Sequence, residues 1–425
     1  MATSQVDRSG REGAPLRAIL RSPGWVGWAV ATFGARLPVA MAPLALVFAG
    51  RALSDGYLLS GLLVGAHTIG EAVAAPAAGA LIDRWNPRRV LAGCLTVEAL
   101  LFLAAAVVVG TGGGTALLVV LVALAGAVPA GAPGGLRSML THLVDAAVLP
   151  RALSLDTVLN QICWGLGPVL VGVTVAAVSP AAGVGLTALP AAIAAGAALR
   201  LPDPTSARPA AGRSRVLPVL RLLARTLALT AALRVLLGVL TVAAVPLFTG
   251  SGQASLAGLA LAAYAIGTGL GSVLYSLRRW PGGHQRQADV ALLVLGLVVA
   301  FAVVARPHAV ALLTLYAVAG FFEGPTVLAR SLHLERVLPA DRRATGFSLQ
   351  YAAIGWGFAV GSMLLAPLLT RWGAATVVTG AGLAVAALAL AAALLPSRAE
   401  RGRRPVTGTP TRTIRPRRTG GRTAR

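Results

Sequence analysis

Twelve long apolar runs, parted by short polar breaks, decide what this chain can fold into. They lie near residues 24–50, 57–82, 90–110, 115–136, 152–178, 180–200, 226–249, 253–277, 288–305, 309–330, 344–370 and 374–395. A helix needs about 20 apolar residues to cross the hydrocarbon core of a bilayer. In lipid, each backbone N–H and C=O must be paired within its own segment, so runs of this kind cross as helices. Charged residues make up 12% of the chain, about half the share of a soluble domain. The chain therefore reads as an all-α membrane protein with twelve transmembrane helices.

The charges assign the sides. All 37 residues counted as Lys or Arg are arginine. Thirty-two of them lie in the termini and in the loops after even-numbered runs, and three (Arg51, Arg306, Arg371) in the loops after odd-numbered runs. Arg36 and Arg234 lie inside runs. The positive-inside rule then places both termini in the cytoplasm of a multi-pass protein of the inner (plasma) membrane. The net charge of +23 is strung along one membrane face and not gathered on a soluble module, so nucleic acid is not the expected partner. Anionic lipid head groups at the cytoplasmic face are. A composition rich in Arg, Ala, Gly and Pro is what a GC-rich genome produces, and an actinobacterial source is expected from it. Cys94 and Cys163 both fall inside apolar runs, which supports neither a disulfide framework nor a metal site.

Domain organisation follows from the same pattern: a polar tail at 1–22, a first bundle of six helices at 23–200, a linker at 201–225, a second bundle at 226–395 and a basic, disordered tail at 396–425. Within the linker, residues 214–225 carry arginines on one side and Val/Leu on the other; an interfacial helix and a plain linker fit equally well. The bundles are related by an internal repeat. Pro133, Arg151, Ala152, Trp164 and Gly165 recur 192 positions later as Pro325, Arg343, Ala344, Trp356 and Gly357. Earlier in the halves the offset is 197: Gly61, Ile69 and Gly70 match Gly258, Ile266 and Gly267. Parallel repeats of this sort are a transporter architecture.

Between the second and third runs lies Gly79-Ala-Leu-Ile-Asp83-Arg84-Trp-Asn86-Pro87-Arg88-Arg89. A glycine, an Asp-Arg pair four residues on, a turn and two basic residues resemble the loop signature of the major facilitator superfamily. Asn86 stands where the family has its turn glycine, and Asn is the residue that best tolerates a left-handed backbone in glycine's place. The resemblance covers roughly residues 23–395. It implies two pseudo-symmetric six-helix bundles rocking about a midplane site, a small-molecule substrate, a monomer and no cofactor, with the proton gradient as energy source. In the second half the motif is degenerate, Arg278-Arg279-Trp280 without aspartate. A latch at Gly79, Asp83, Arg84, Arg88 and Arg89 would therefore be one-sided, with Asp83 pairing when the cytoplasmic side is closed.

A charged side chain inside a bilayer costs at least about 2.5–3.5 kcal/mol, so each one needs a partner or a wet cavity. Arg36 lies about 15 Å deep, near mid-bilayer. Arg234 is its near-equivalent across the repeat, one position from the offset of 197. The resemblance puts both in helices that line the central cavity, where a guanidinium fork suits a carboxylate or phosphate. The alternative is that each neutralises a buried acid such as Asp156 or Glu323. Glu71 lies in mid-run with His67 one turn earlier on the same face, the residue types of a proton carrier. Glu98 belongs to a helix that the resemblance places outside the bundle. Asp156 and Asn160 share a face, and Gln350 and Tyr351 add polar groups. Gly167-Pro168 resembles a helix-five signature of efflux antiporters, and Gly324-Pro325 beside Glu323 reads as a second break point. The fourth run lacks the arginine usual in proton-coupled exporters of the superfamily and carries Pro129, Pro133, Gly134 and Gly135 instead, so it reads as broken. No nucleophile–base or metal-ligand cluster is legible, so no enzyme is expected. The leading expectation is proton-coupled export. Uptake or exchange of an organic anion held by Arg36 and Arg234, or a non-transporting sensor on the same scaffold, are the alternatives.

Overall fold

The structure, a computed structural model, describes residues 24–144, 149–202, 216–249, 253–278, 280–306, 308–338 and 343–394. Fifteen helices run through them. They are α1 (Trp25–Leu53), α2 (Leu58–Arg84), α3 (Pro87–Thr111), α4 (Thr115–Ala127), α5 (Ala132–Leu143), α6 (Leu149–Ala177), α7 (Pro180–Leu186), α8 (Ala188–Leu199), α9 (Val216–Thr249), α10 (Leu256–Leu277), α11 (His284–Ala300), α12 (Ala302–Ala305), α13 (Ala309–Val337), α14 (Arg343–Trp372) and α15 (Ala374–Leu394). They make twelve spans long and apolar enough to cross a membrane; α4 with α5, α7 with α8, and α11 with α12 form one span each. The spans build two six-helix bundles, and the protein is a multi-pass membrane protein.

Proline chemistry accounts for the broken fourth span. Pro129 and Pro133 bring no N–H to the carbonyls four residues before them, and the helix gives way to turns between Ala127 and Ala132. The bundle cores are made of small and aliphatic side chains with a few large anchors whose polar ends are satisfied. Trp28, fully buried, donates its indole N–H to the Leu136 carbonyl at 2.7 Å. Tyr316, equally buried, donates to the Leu240 carbonyl at 2.7 Å.

Three sequence expectations are corrected here. Asn86 is not left-handed. Its φ is −65° and ψ 110°, and its side chain caps α3 by accepting from the Arg89 N–H at 3.4 Å. Pro87 follows at the first helical position, where its missing N–H costs nothing; a capping asparagine ends the turn without positive φ. Second, residues 216–225 are neither a separate interfacial helix nor a linker but the first turns of the 34-residue α9. Third, α13 continues to Val337, past the expected end of the tenth run at residue 330, so Arg330, counted above among the thirty-two arginines of termini and loops, is a helix residue with 1% exposure.

The halves touch chiefly through α2 with α14 and α6 with α10. The close approaches lie toward the arginine-poor face. A Cβ at Gly258, near the start of α10, would overlap the Pro168 carbonyl of α6, and one at Gly172 would lie 3.0 Å from the Ser255 carbonyl. Nearer the middle, a Cβ at Gly355 of α14 would meet Ala72 of α2 at 2.9 Å. At the arginine-rich end of α2, a Cβ at Gly79 would meet nothing within 4 Å. Among the described residues, the close approaches between the halves thus lie toward the arginine-poor face. Gly258→Val is expected to destabilise this conformation by about 1–3 kcal/mol through overpacking, roughly a five- to 150-fold shift in its population. Labelling of a cysteine placed near Ser255 with a membrane-impermeant maleimide should rise accordingly.

Candidate functional site

The first half holds its mid-span arginine with an acid from α6. Arg36, 9% exposed, lies 2.8 Å from one Asp156 carboxylate oxygen, donates to the other at 3.1 Å, and donates to the Asp156 backbone carbonyl at 2.9 Å. Asp156 is 2% exposed. Arg137, whose side chain is 58% exposed, stands 4.0 Å from the same carboxylate. The second half uses a different helix. Arg234 of α9 meets Glu323 of α13 at 2.9 Å, and Thr268 of α10 donates to the other Glu323 oxygen at 2.9 Å. The repeat that makes the two arginines near-equivalents does not extend to their partners. Asp156 aligns with Ser348 and Glu323 with Gly131 at the offset of 192. Each half keeps one acid for its arginine, on a different helix.

A third group of ionisable side chains lies on α2 and α3. Glu71 of α2 accepts from the Tyr351 hydroxyl of α14 at 3.0 Å, a hydrogen bond across the two halves. His67, one turn back and 4% exposed, has its ring 6.0 Å from that of Phe102. Both line a small cavity of about 10 Å³ with Glu98, Pro129 and Pro133. Glu98 is buried: it is 1% exposed, and neither carboxylate oxygen has a hydrogen-bond partner. Helix three does lie at the periphery of its bundle, but Glu98 is on the inward face of that helix. A single acidic residue in an apolar run gives no face by itself, so the sequence carried no signal for this.

The remaining candidates fall as follows. Asn160 is half-buried one turn beyond Asp156 on α6, and Gln350 is buried on α14. The expected break points are not breaks. Helix α6 runs unbroken through Gly167 and Pro168, and α13 through Gly324 and Pro325. Their glycines serve contact instead: a Cβ at Gly167 would meet Ala40 at 3.0 Å, and one at Gly324 would meet the Ser272 N–H at 2.5 Å. In the latch stretch the backbone of Gly79, Asp83 and Arg84 ends α2. The side chains of Asp83 and Arg84 lie outside the described residues, so the expected pairing of Asp83 does too. Arg88 donates to the Leu201 carbonyl at 3.3 Å, tying the loop to the end of the first bundle, and Arg89 is exposed.

Sequence reading missed one buried cluster entirely. Arg225 of α9 pairs with the fully buried Asp289 of α11 at 2.5 Å. Thr226 donates to Gln285 at 3.1 Å, and Arg330 of α13 donates to Thr230 at 3.5 Å. These contacts join three spans of the second half at its arginine-rich end. Arg225, Asp289 and Arg330 each sit within a few residues of a hydropathy boundary, where a run's end is uncertain by about a turn.

Among the described residues there is no group of three metal-ligating side chains. A search of curated proteins finds no match. Among solved structures, the fold is similar to that of the nucleoside transporter NupG, with TM-score 0.69 and 16% identity over 86% of this chain and 97% of that one. It is also similar to a bacterial homolog of the human lysosomal transporter Spinster in an inward-facing, occupied conformation (TM-score 0.70, 13% identity, 90% and 96% covered). A bacterial homologue of the iron transporter ferroportin in its inward-facing state is a third (TM-score 0.65, 16% identity, 90% and 100% covered). At such identities the likeness shows the fold alone. The family model described as the Major Facilitator Superfamily matches residues 25–278, more than half of the 425; the chain belongs to the Major Facilitator Superfamily, and is a transporter of secondary type.

Proposed function

We propose that this transporter exports a small molecule in exchange for protons, with Glu71 as the proton-coupling residue. One observation carries the reading: the Tyr351–Glu71 hydrogen bond joins the two halves at mid-membrane depth. A carboxylate accepts this bond as an anion and loses part of its attraction for the hydroxyl once protonated. Proton binding at Glu71 therefore acts on a contact that rocking of the halves must make and break. The Arg-rich face is taken as cytoplasmic under the positive-inside rule, which makes the present conformation inward-facing. The helix-five Gly167-Pro168 pair motivates the outward direction.

A screen for solutes that raise the thermal unfolding temperature of the purified protein identifies a ligand. Everted vesicles carrying a pH-sensitive dye then test coupling: addition of that solute should move protons. Solute movement with no change in dye signal would sink the proton reading.

Uptake of an organic anion is the second reading, favoured by the depth and near-equivalence of Arg36 and Arg234. Against it, each guanidinium already holds a buried carboxylate of its own half. Arg36→Gln separates the two. On the export reading it impairs folding more than substrate affinity; a variant that folds normally but loses at least about tenfold in anion affinity, a loss of about 1.4 kcal/mol, would favour the anion.

A further inference from the structure

The cavity beside Glu71 holds a second acid, and its geometry is unlike that of every other charged group described above. Asp156, Glu323 and Asp289 each face an arginine. Glu98 faces none. It is 1% exposed with both oxygens unpartnered, and it lines the cavity that His67 and Glu71 line from α2. Bare burial of a carboxylate charge without a donor is costly enough that the group takes up a proton instead.

Among the described side chains, the neighbourhood shows no cation to replace that proton. Helices α4, α7 and α8, which pack on α3, carry no titratable side chain. Arg36 of α1 and Arg137 of α5 both turn to Asp156, and the side chain of His142, also on α5, lies outside the described residues. On α3 itself, Cys94 is one turn away. What faces Glu98 is His67 and Glu71. The cavity is also furnished to pass a proton. Its volume, about 10 Å³, is near the least that admits one water. Ala125 and Pro129 both line it, and a proline brings no N–H to the carbonyl four residues before it.

We infer that Glu98 is a second proton-binding site of this chain, exchanging its proton with Glu71 through the cavity shared with His67. In the present conformation Glu98 holds the proton, and Glu71 is the anion that accepts from Tyr351. When the halves move and Tyr351 withdraws, the O–H bond at Glu98 breaks. A water in the cavity accepts that proton and gives one of its own to Glu71, where an O–H bond forms. Within this step the pair keeps one proton and one negative charge. The use of this exchange in transport rests on the proton-coupled reading above; the protonation of Glu98 does not.

Infrared absorption of the full chain in lipid, with no added solute, tests it. A protonated carboxyl has a C=O band that the carboxylate lacks. Raising the pH is expected to remove an acid band that is absent from Glu98→Gln, and Tyr351→Phe is expected to move the pH at which it is lost. Glu98→Asp, which keeps the acid, should shift that band without abolishing it, and serves if the glutamine variant fails to fold. The inference is overturned if the acid region of the spectrum is the same in Glu98→Gln as in the parent. It is overturned equally if the Glu98 band survives at every pH at which the protein stays folded, since Glu98 is then a permanently neutral structural acid. A titrating Glu98 band together with solute movement that carries no protons would uphold the site and sink the transport reading alone.

Discussion

Glu323→Ala is expected to cost about 3–5 kcal/mol of stability, because it leaves the Arg234 guanidinium buried with its carboxylate removed. The pair is tight, at 2.9 Å, with Glu323 held from its other side by Thr268. The side chains are 17% and 5% exposed, so water offers Arg234 little compensation. Since native proteins have about 5–15 kcal/mol in all, the variant should show a much lower thermal midpoint in detergent or fail to accumulate. Removing the partner as well should restore most of the loss: a buried ion pair replaced on both sides by apolar groups is often neutral or better. Arg234→Leu with Glu323→Leu is therefore expected to fold close to the parent. Its transport rate then separates a pair that only neutralises itself from one that the substrate or the gate uses. A double variant as unstable as the single one would show that the stability comes from something other than charge pairing.

Glu71→Gln is expected to do little to stability and to abolish solute-driven proton movement. The amide keeps the shape of the protonated acid and still accepts from the Tyr351 hydroxyl, so the bond of 3.0 Å in the parent has a neutral counterpart. What it lacks is a site where a proton can bind and leave. Exchange of labelled solute across the membrane at equal concentrations should persist, while accumulation against a gradient falls to the background, a loss on the order of the full concentration ratio. Loss of solute exchange and accumulation alike would assign Glu71 to the substrate site and not to coupling.

The architecture was legible because its causes are local and repeated. Twelve runs above the length of a bilayer, an arginine bias and a repeat at offsets of 192 and 197 each read directly from the chain, and the twelve spans follow. The motif loop at Gly79–Arg89 was legible for its family, but its turn was misread. The choice between a left-handed residue and an N-cap depends on whether Pro87 opens the next helix, which the motif does not state. Glycine–proline pairs were misread for a related reason. In water a proline marks a boundary, but a long membrane helix surrounded by neighbours carries one through, and Gly167 and Gly324 turn out to be contact points. That Arg36 and Arg234 each need an acid follows from the cost of burying them, and Asp156 and Glu323 are the acids the sequence offers; which acid goes with which arginine is not legible there. The partners break the repeat, so symmetry would have assigned them wrongly. Glu98 lay beyond reach for the simplest reason: its face of α3 becomes inward only when α2 and α4 pack on it.

The central claim is that a proton on Glu71 governs the contact between the halves, and the most direct measurement is solute-driven proton movement in proteoliposomes. The parent and Glu71→Gln are to be compared, using a solute that raises the thermal midpoint of both. The account predicts that the solute moves protons through the parent and not through the variant, with solute exchange intact in the two. Proton movement of equal size in both, or solute accumulation by the parent without any, would contradict it.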